Sequence, residues 1–130
     1  MAKSAIAQYD SLDVAPLLAH AQDEVVTHSY VRYVPMPKTR GTLALVTLDN
    51  GKDHTRPNTL GPQSLVELRE TLLGLQEKAR AKEISAVAIT GSPFILAAGA
   101  DLSKVGDIPD KATGVLMVKL GHQTLGLLGE

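Results

Sequence analysis

The chain of 130 residues has no cysteine, no tryptophan and a single phenylalanine. Without cysteine there are no disulfides, thiolate metal ligands or thiol nucleophiles. With aromatics at 3% there is no stacking platform of the kind single-stranded nucleic acid requires. Neither charge sign dominates. Lys and Arg total 13 against 14 Asp and Glu, so a formal net charge of -1 selects neither polyanions nor basic partners. No apolar run approaches the roughly 20 residues of a membrane span, and the amino terminus lacks the basic-then-apolar pattern of a secretory signal. These absences point to a cytoplasmic protein with no nucleic-acid partner and no membrane span. One scarcity is local: no glutamate stands between Glu83 and Glu130.

What is present suits one globular domain or part of a larger one. Hydrophobic residues make up 44% and charged residues 21%, enough apolar material for a core. Residues 1–10 carry no pattern. "SLDVAPLLAHAQDEVV" fits a short helix, with Pro16 in its first turn and Ser11 or Asp13 near the cap. In "VVTHSYVRYV" the odd positions 25–33 fall on one face and the even positions 26–34 on the other, which predicts a strand. "PMPKTRG" supplies a turn, and "TLALVTL" (42–48) a second strand, paired as a hairpin. A polar loop follows at 49–58. Leu65, Leu68, Leu72, Leu75 and Ala79 then recur at helical spacing behind Pro62, predicting an amphipathic helix over 62–80. "ISAVAIT" (84–90) lacks alternation and predicts a strand covered on both faces. Strand, helix, strand in that order implies a parallel pair with a right-handed crossover. "KVGDIPDKATG" predicts a loop or short helical turns, and "VLMVKLGHQTLGLLG" a helix weakened by three glycines.

The run "FILAAGADLS" (94–103) is unusual. It tightens into Ala-Ala-Gly-Ala where a strand should hand over to a helix, and an acid follows at once. Two readings are open. The alanines pack tightly behind a turn at Gly91, Ser92 and Pro93, or the strand end presents bare backbone N–H groups to a ligand oxygen. Gly and Ala permit that approach, and a following helix start adds its positive end. N–H donors aimed at a developing oxyanion are the most effective electrostatic device for thioester chemistry.

In order and content, "LALVTLDN", "RPNTLGPQSLVELRETL", "SAVAIT" and "FILAAGADLS" resemble the first half of the enoyl-CoA hydratase/isomerase (crotonase) superfamily, over about residues 25 to 128. The amino terminus and "DNGKDHTRPNTLG" resemble the hydratase portion of actinobacterial multifunctional fatty-acid oxidation proteins, which also carry a 3-hydroxyacyl-CoA dehydrogenase portion. The resemblance implies an α/β fold, the amino-terminal portion of a crotonase-like ββα spiral. Residues 1–24 would be an extension, and 25–130 the amino-terminal part of the hydratase domain. It implies a lyase of fatty-acid β-oxidation that adds water to 2-enoyl-CoA. Coenzyme A enters as the substrate thioester, no cofactor is bound covalently, no metal is needed, and the protein forms a homo-oligomer. Enoyl-CoA isomerase chemistry and a non-catalytic CoA-binding or oligomerisation fragment are the alternatives.

Carried onto this sequence, the resemblance makes Ala100 the donor of one oxyanion-hole N–H. It sets Ala98 near the adenine of coenzyme A and Ala100, Asp101, Leu102 and Ser103 along the mouth of the acyl-thioester site. Arg56, Asn58 and Leu60 would border the coenzyme. The family's basic residue two places after the motif's aspartate is Ser103 here, with Lys104 next. The second oxyanion donor and the catalytic carboxylates of the family lie in a later region. By this reading the 130 residues alone are inactive.

Other candidates carry less. His20, His28, His54 and His122 show no metal-ligand spacing. Asp101 reads either as a general base or as the cap of the following turn. Ser92 is followed directly by proline, which is not a nucleophile elbow, and no phosphate loop or dinucleotide fingerprint is present.

Overall fold

The computed structural model describes residues 12–52, 57–91, 96–97 and 110–129. Alternation decides the middle of the fold. Along β2 (Thr42–Asp49), Ala44, Val46 and Leu48 are buried while the residues between them stay half-buried. β1 (His28–Pro35) lies antiparallel to β2, with Val31 opposite Val46 and Tyr33 opposite Ala44. β3 (Ala86–Gly91) lies parallel on the other side, with Val87 opposite Ala44 and Ile89 opposite Val46. The result is a mixed three-stranded sheet in the order β1-β2-β3.

The hairpin turn follows from its backbone. Lys38 and Thr39 take left-handed conformations, and Met36 N–H donates to the Gly41 carbonyl at 2.8 Å. Gly41 sits at φ +96°, and a Cβ there would run into the Ser85 hydroxyl, so only glycine fits both constraints. The strand expected from residue 25 begins at His28. Thr27 is diverted, its N–H donating to Ser64 Oγ at 2.9 Å and its hydroxyl to the Thr59 carbonyl at 2.7 Å.

The stripe at 65, 68, 72 and 75 forms the inner face of α2 (Pro62–Arg80). Leu68, Leu72 and Leu75 cover Ala44, Val46 and Leu48, closing one core with Ile84 and Leu127. Ala79, read as part of the stripe, is exposed. β2 and β3 are therefore parallel neighbours joined through a helix on one sheet face, as the sequence order implies. β3 departs from expectation in one respect. Val87 is 39% exposed, so the strand is not covered on both faces. Among the described residues it pairs only with β2, and its missing alternation reflects an edge rather than an interior.

The start of α2 is capped from a distance. Gly61 at the N-cap has no side chain to offer. Instead the buried Glu24 carboxylate accepts from Gln63 N–H at 2.9 Å and Ser64 N–H at 3.0 Å, and from the Ser64 hydroxyl. Gln63 Nε2 donates back to the Ala21 carbonyl. The short helix α1 (Ala15–Ala19) begins one residue after its N-cap Val14, and Asp13 Oδ1 accepts from Ala15 N–H at 3.0 Å. Its Leu17 packs with Leu65 and with Leu120 of α3 (Lys111–Gly126) in a second small core.

α3 starts earlier than the glycine-interrupted pattern suggests, because Asp110 caps it: Oδ1 accepts from Thr113 N–H at 2.7 Å. It ends in a 3-10 turn over Leu127–Gly129. The bond from the Thr113 backbone, with that from its hydroxyl, holds the Asp110 carboxyl below its ordinary value. A depressed folded value means the cap's contribution is present above the unfolded value and lost as pH falls through the folded one. Followed by NMR, the Thr113 amide shift is expected to hold above about pH 4 and to move steeply below it. Asp110→Asn should abolish that step.

Candidate functional site

The carboxyl ends of β2 and β3 point the same way, and in open parallel sheets ligands bind beyond such ends. Asn58 organises this end. Its side chain is fully buried, and its Nδ2 donates to the Leu48 carbonyl at 2.8 Å and to the Leu96 carbonyl at 2.9 Å. Its Oδ1 accepts from Asn50 N–H at 3.0 Å. One carboxamide thus ties the end of β2, the loop after it and the stretch after β3. Both side-chain donors are spent on protein carbonyls, so Asn58 acts from inside the fold and has none left for a coenzyme. The loop adds two local turns: Asp49 Oδ1 accepts from Gly51 N–H at 3.0 Å, and Asn50 Oδ1 from Lys52 N–H at 2.9 Å.

Leu60 is also turned inward, against the small core of Leu17, Leu65 and Leu120. The remaining residues singled out from the sequence lie outside the described residues: Arg56, Ala98, Ala100, Asp101, Leu102 and Ser103, together with His54, Ser92 and Lys104. Asn58 and Leu96 mark the threshold of that stretch, since Leu96 stands two residues before Ala98.

One side-chain pair at this end had no sequence signal. His28 Nδ1 lies 3.0 Å from Glu67 Oε2 and 3.3 Å from Oε1, and the His28 ring is 6.1 Å from that of Tyr30. The partners lie 39 residues apart on different elements, so no motif spacing could announce them. Both are well exposed, at 46% and 37%, and a pair so solvated contributes little to stability. Among the described residues no three His, Asp or Glu side chains gather where a metal could sit.

An apolar hollow of about 230 Å³ lies elsewhere, between Leu72, Leu75 and Ala79 of α2, Val87 of β3 and Leu127. Its lining offers no charged group for a phosphate, so it does not compete as a coenzyme site. Among the described residues no helix is long and apolar enough to cross a membrane. No family model, curated protein or solved structure matches this chain.

Proposed function

We propose that this chain is the amino-terminal, thioester-binding part of a crotonase-type domain, from an enzyme that hydrates 2-enoyl-CoA. The observation that supports it most is topological. β2 and β3 run parallel, bridged by α2, and the Ala-Ala-Gly-Ala-Asp run begins at Ala97, just past the carboxyl end of β3. Ligands gather at that end in open α/β sheets, and small residues there leave the backbone open to close approach.

In this reading the Ala100 N–H is one of two donors to the thioester oxygen. Their hydrogen bonds stabilise the enolate formed as water adds at the β-carbon. The second donor and the carboxylates that handle the proton are not among these 130 residues. Asn58 serves by fixing the approach to the run, through Leu96, rather than by touching coenzyme A.

Titration calorimetry with crotonyl-CoA tests the binding half, and loss of the conjugated-thioester absorbance tests the chemistry. The folded chain is expected to bind crotonyl-CoA saturably and to leave its absorbance unchanged. Absence of saturable binding to the folded chain would sink the reading. Sustained hydration that tracks with the chain and disappears in Asp101→Asn would relocate the acid/base group to Asp101.

A further inference from the structure

The outer edge of β1 is a long row of backbone groups that no described strand claims. β1 pairs with β2 from His28 to Pro35 and with no other described strand. Tyr30 is 55%, Val31 36% and Tyr33 47% exposed. Free N–H and C=O groups along an exposed strand are a template for one more strand. We propose that this edge pairs antiparallel with β1 of a second copy, joining two three-stranded sheets into one.

Symmetry restricts the register. A two-fold axis perpendicular to the joined sheet keeps the α2-covered faces of both copies on the same side. Opposed residues must then share a face, and side chains alternate with a period of two. The axis therefore passes through a pair formed by one residue and its own copy. Centred on Arg32, the pairing would set two guanidinium groups against each other, which is destabilising. Centred on Tyr30, only residues 28–32 overlap, and Arg32 meets the His28 ring.

Centred on Val31, residues 28–34 all find partners. Val31 faces its copy, Tyr30 faces Arg32 on both sides of the axis, Ser29 faces Tyr33, and His28 faces Val34. Two guanidinium–tyrosine contacts flank an apolar centre, and no like charges meet. Pro35, which cannot donate to a ladder, falls just outside the paired stretch. Length of overlap and charge together thus favour one register of the strand with itself. A seam of one strand pair falls short of the roughly 1,200 Å² of a standard interface, so the dimer is reversible and concentration-dependent.

The absence of cysteine makes the register directly testable. Val31→Cys places a unique thiol on the axis, where opposed Cα atoms are about 4.5–5.5 Å apart and within disulfide reach. Tyr33→Cys places it four residues from its symmetry mate, roughly 13 Å away. Under mild oxidation Val31→Cys is expected to become a covalent dimer, while Tyr33→Cys stays monomeric. Sedimentation velocity over a concentration series adds a second reading. Tyr30→Arg, which sets arginine against Arg32 twice, should weaken the dimer about tenfold. Tyr30→Glu should tighten it, and circular dichroism checks the fold of every variant. A wild-type chain that is monomeric at every concentration overturns the proposal. So do equal cross-linking of both cysteine variants, like shifts from Tyr30→Arg and Tyr30→Glu, or an edge that pairs only with an added extended peptide.

Discussion

Asn58→Ala is expected to destabilise the protein by about 3 kcal/mol, lowering the unfolding midpoint by roughly 10 °C. The substitution removes little volume but three hydrogen bonds, those to the Leu48 and Leu96 carbonyls and the one from the Asn50 N–H. Each group left unsatisfied out of water costs on the order of 1 to 3 kcal/mol. The sharper comparison is Asn58→Asp, which is nearly isosteric. It replaces two donors with an acceptor that faces two carbonyl oxygens, and it brings a charge into a fully buried position. At neutral pH it should cost at least as much as the alanine. Urea unfolding of the three proteins measures both. An aspartate variant as stable as wild type would mean that size, rather than donor chemistry, decides the residue at 58.

The second large effect concerns the cap on α2. Glu24→Ala leaves Gln63 N–H, Ser64 N–H and the Ser64 hydroxyl without their acceptor. The expected loss is again about 3 kcal/mol, above an ordinary cap deletion because the acceptor is charged and buried. Gly61 makes this a coupled site. A Cβ on Gly61 would lie 2.5 Å from the Glu24 carboxyl carbon. Its backbone is extended (φ -90°, ψ -175°), so only that clash opposes a side chain. Gly61→Ala alone should cost about 1 to 3 kcal/mol, by the usual penalty of overpacking. In the Glu24→Ala background it should cost far less. A thermal-unfolding double-mutant cycle reads the difference; strictly additive losses would show that the carboxylate does not occupy the space above Gly61.

The two anchors also divide what the sequence discloses from what it hides. α2 is legible because Leu65, Leu68, Leu72 and Leu75 repeat at its period and Pro62 opens it. The β1–β2 hairpin is legible from two runs separated by a turn. The parallel partnership of β2 and β3 then follows from element order, because a strand-helix-strand unit has few ways to close. The early start of α3 was within reach, since Asp110 three residues before Thr113 is a local cap. The glycines at 121, 126 and 129 weaken the helical pattern and obscure that start. The edge position of β3 was not legible, because a strand's apolar content does not say how many neighbours it has. Glu24 lies 39 residues from the backbone it caps. Its only trace in the sequence is negative: a helix beginning Gly-Pro, with no Ser, Thr, Asp or Asn to cap it. Asn58 is marked in the sequence only as a border of the coenzyme, and its buried role emerges when its partners at Leu48 and Leu96 are seen together. Such non-local polar contacts carry no periodicity, so pattern reading passes over them.

The β1-β2-β3 order also sets a schedule for folding. The hairpin closes across residues 36–41 and can form within about 1–10 μs. β3 must wait for the whole crossover, residues 50–85, to collapse, and such long-range pairing is slow. Until then β2 carries one completed edge, one bare edge and the uncovered apolar row Ala44, Val46 and Leu48. That intermediate is the species most inclined to associate with its own kind. Changes that delay α2, such as loss of its distant cap, should therefore reduce the yield of soluble chain by more than their effect on final stability accounts for.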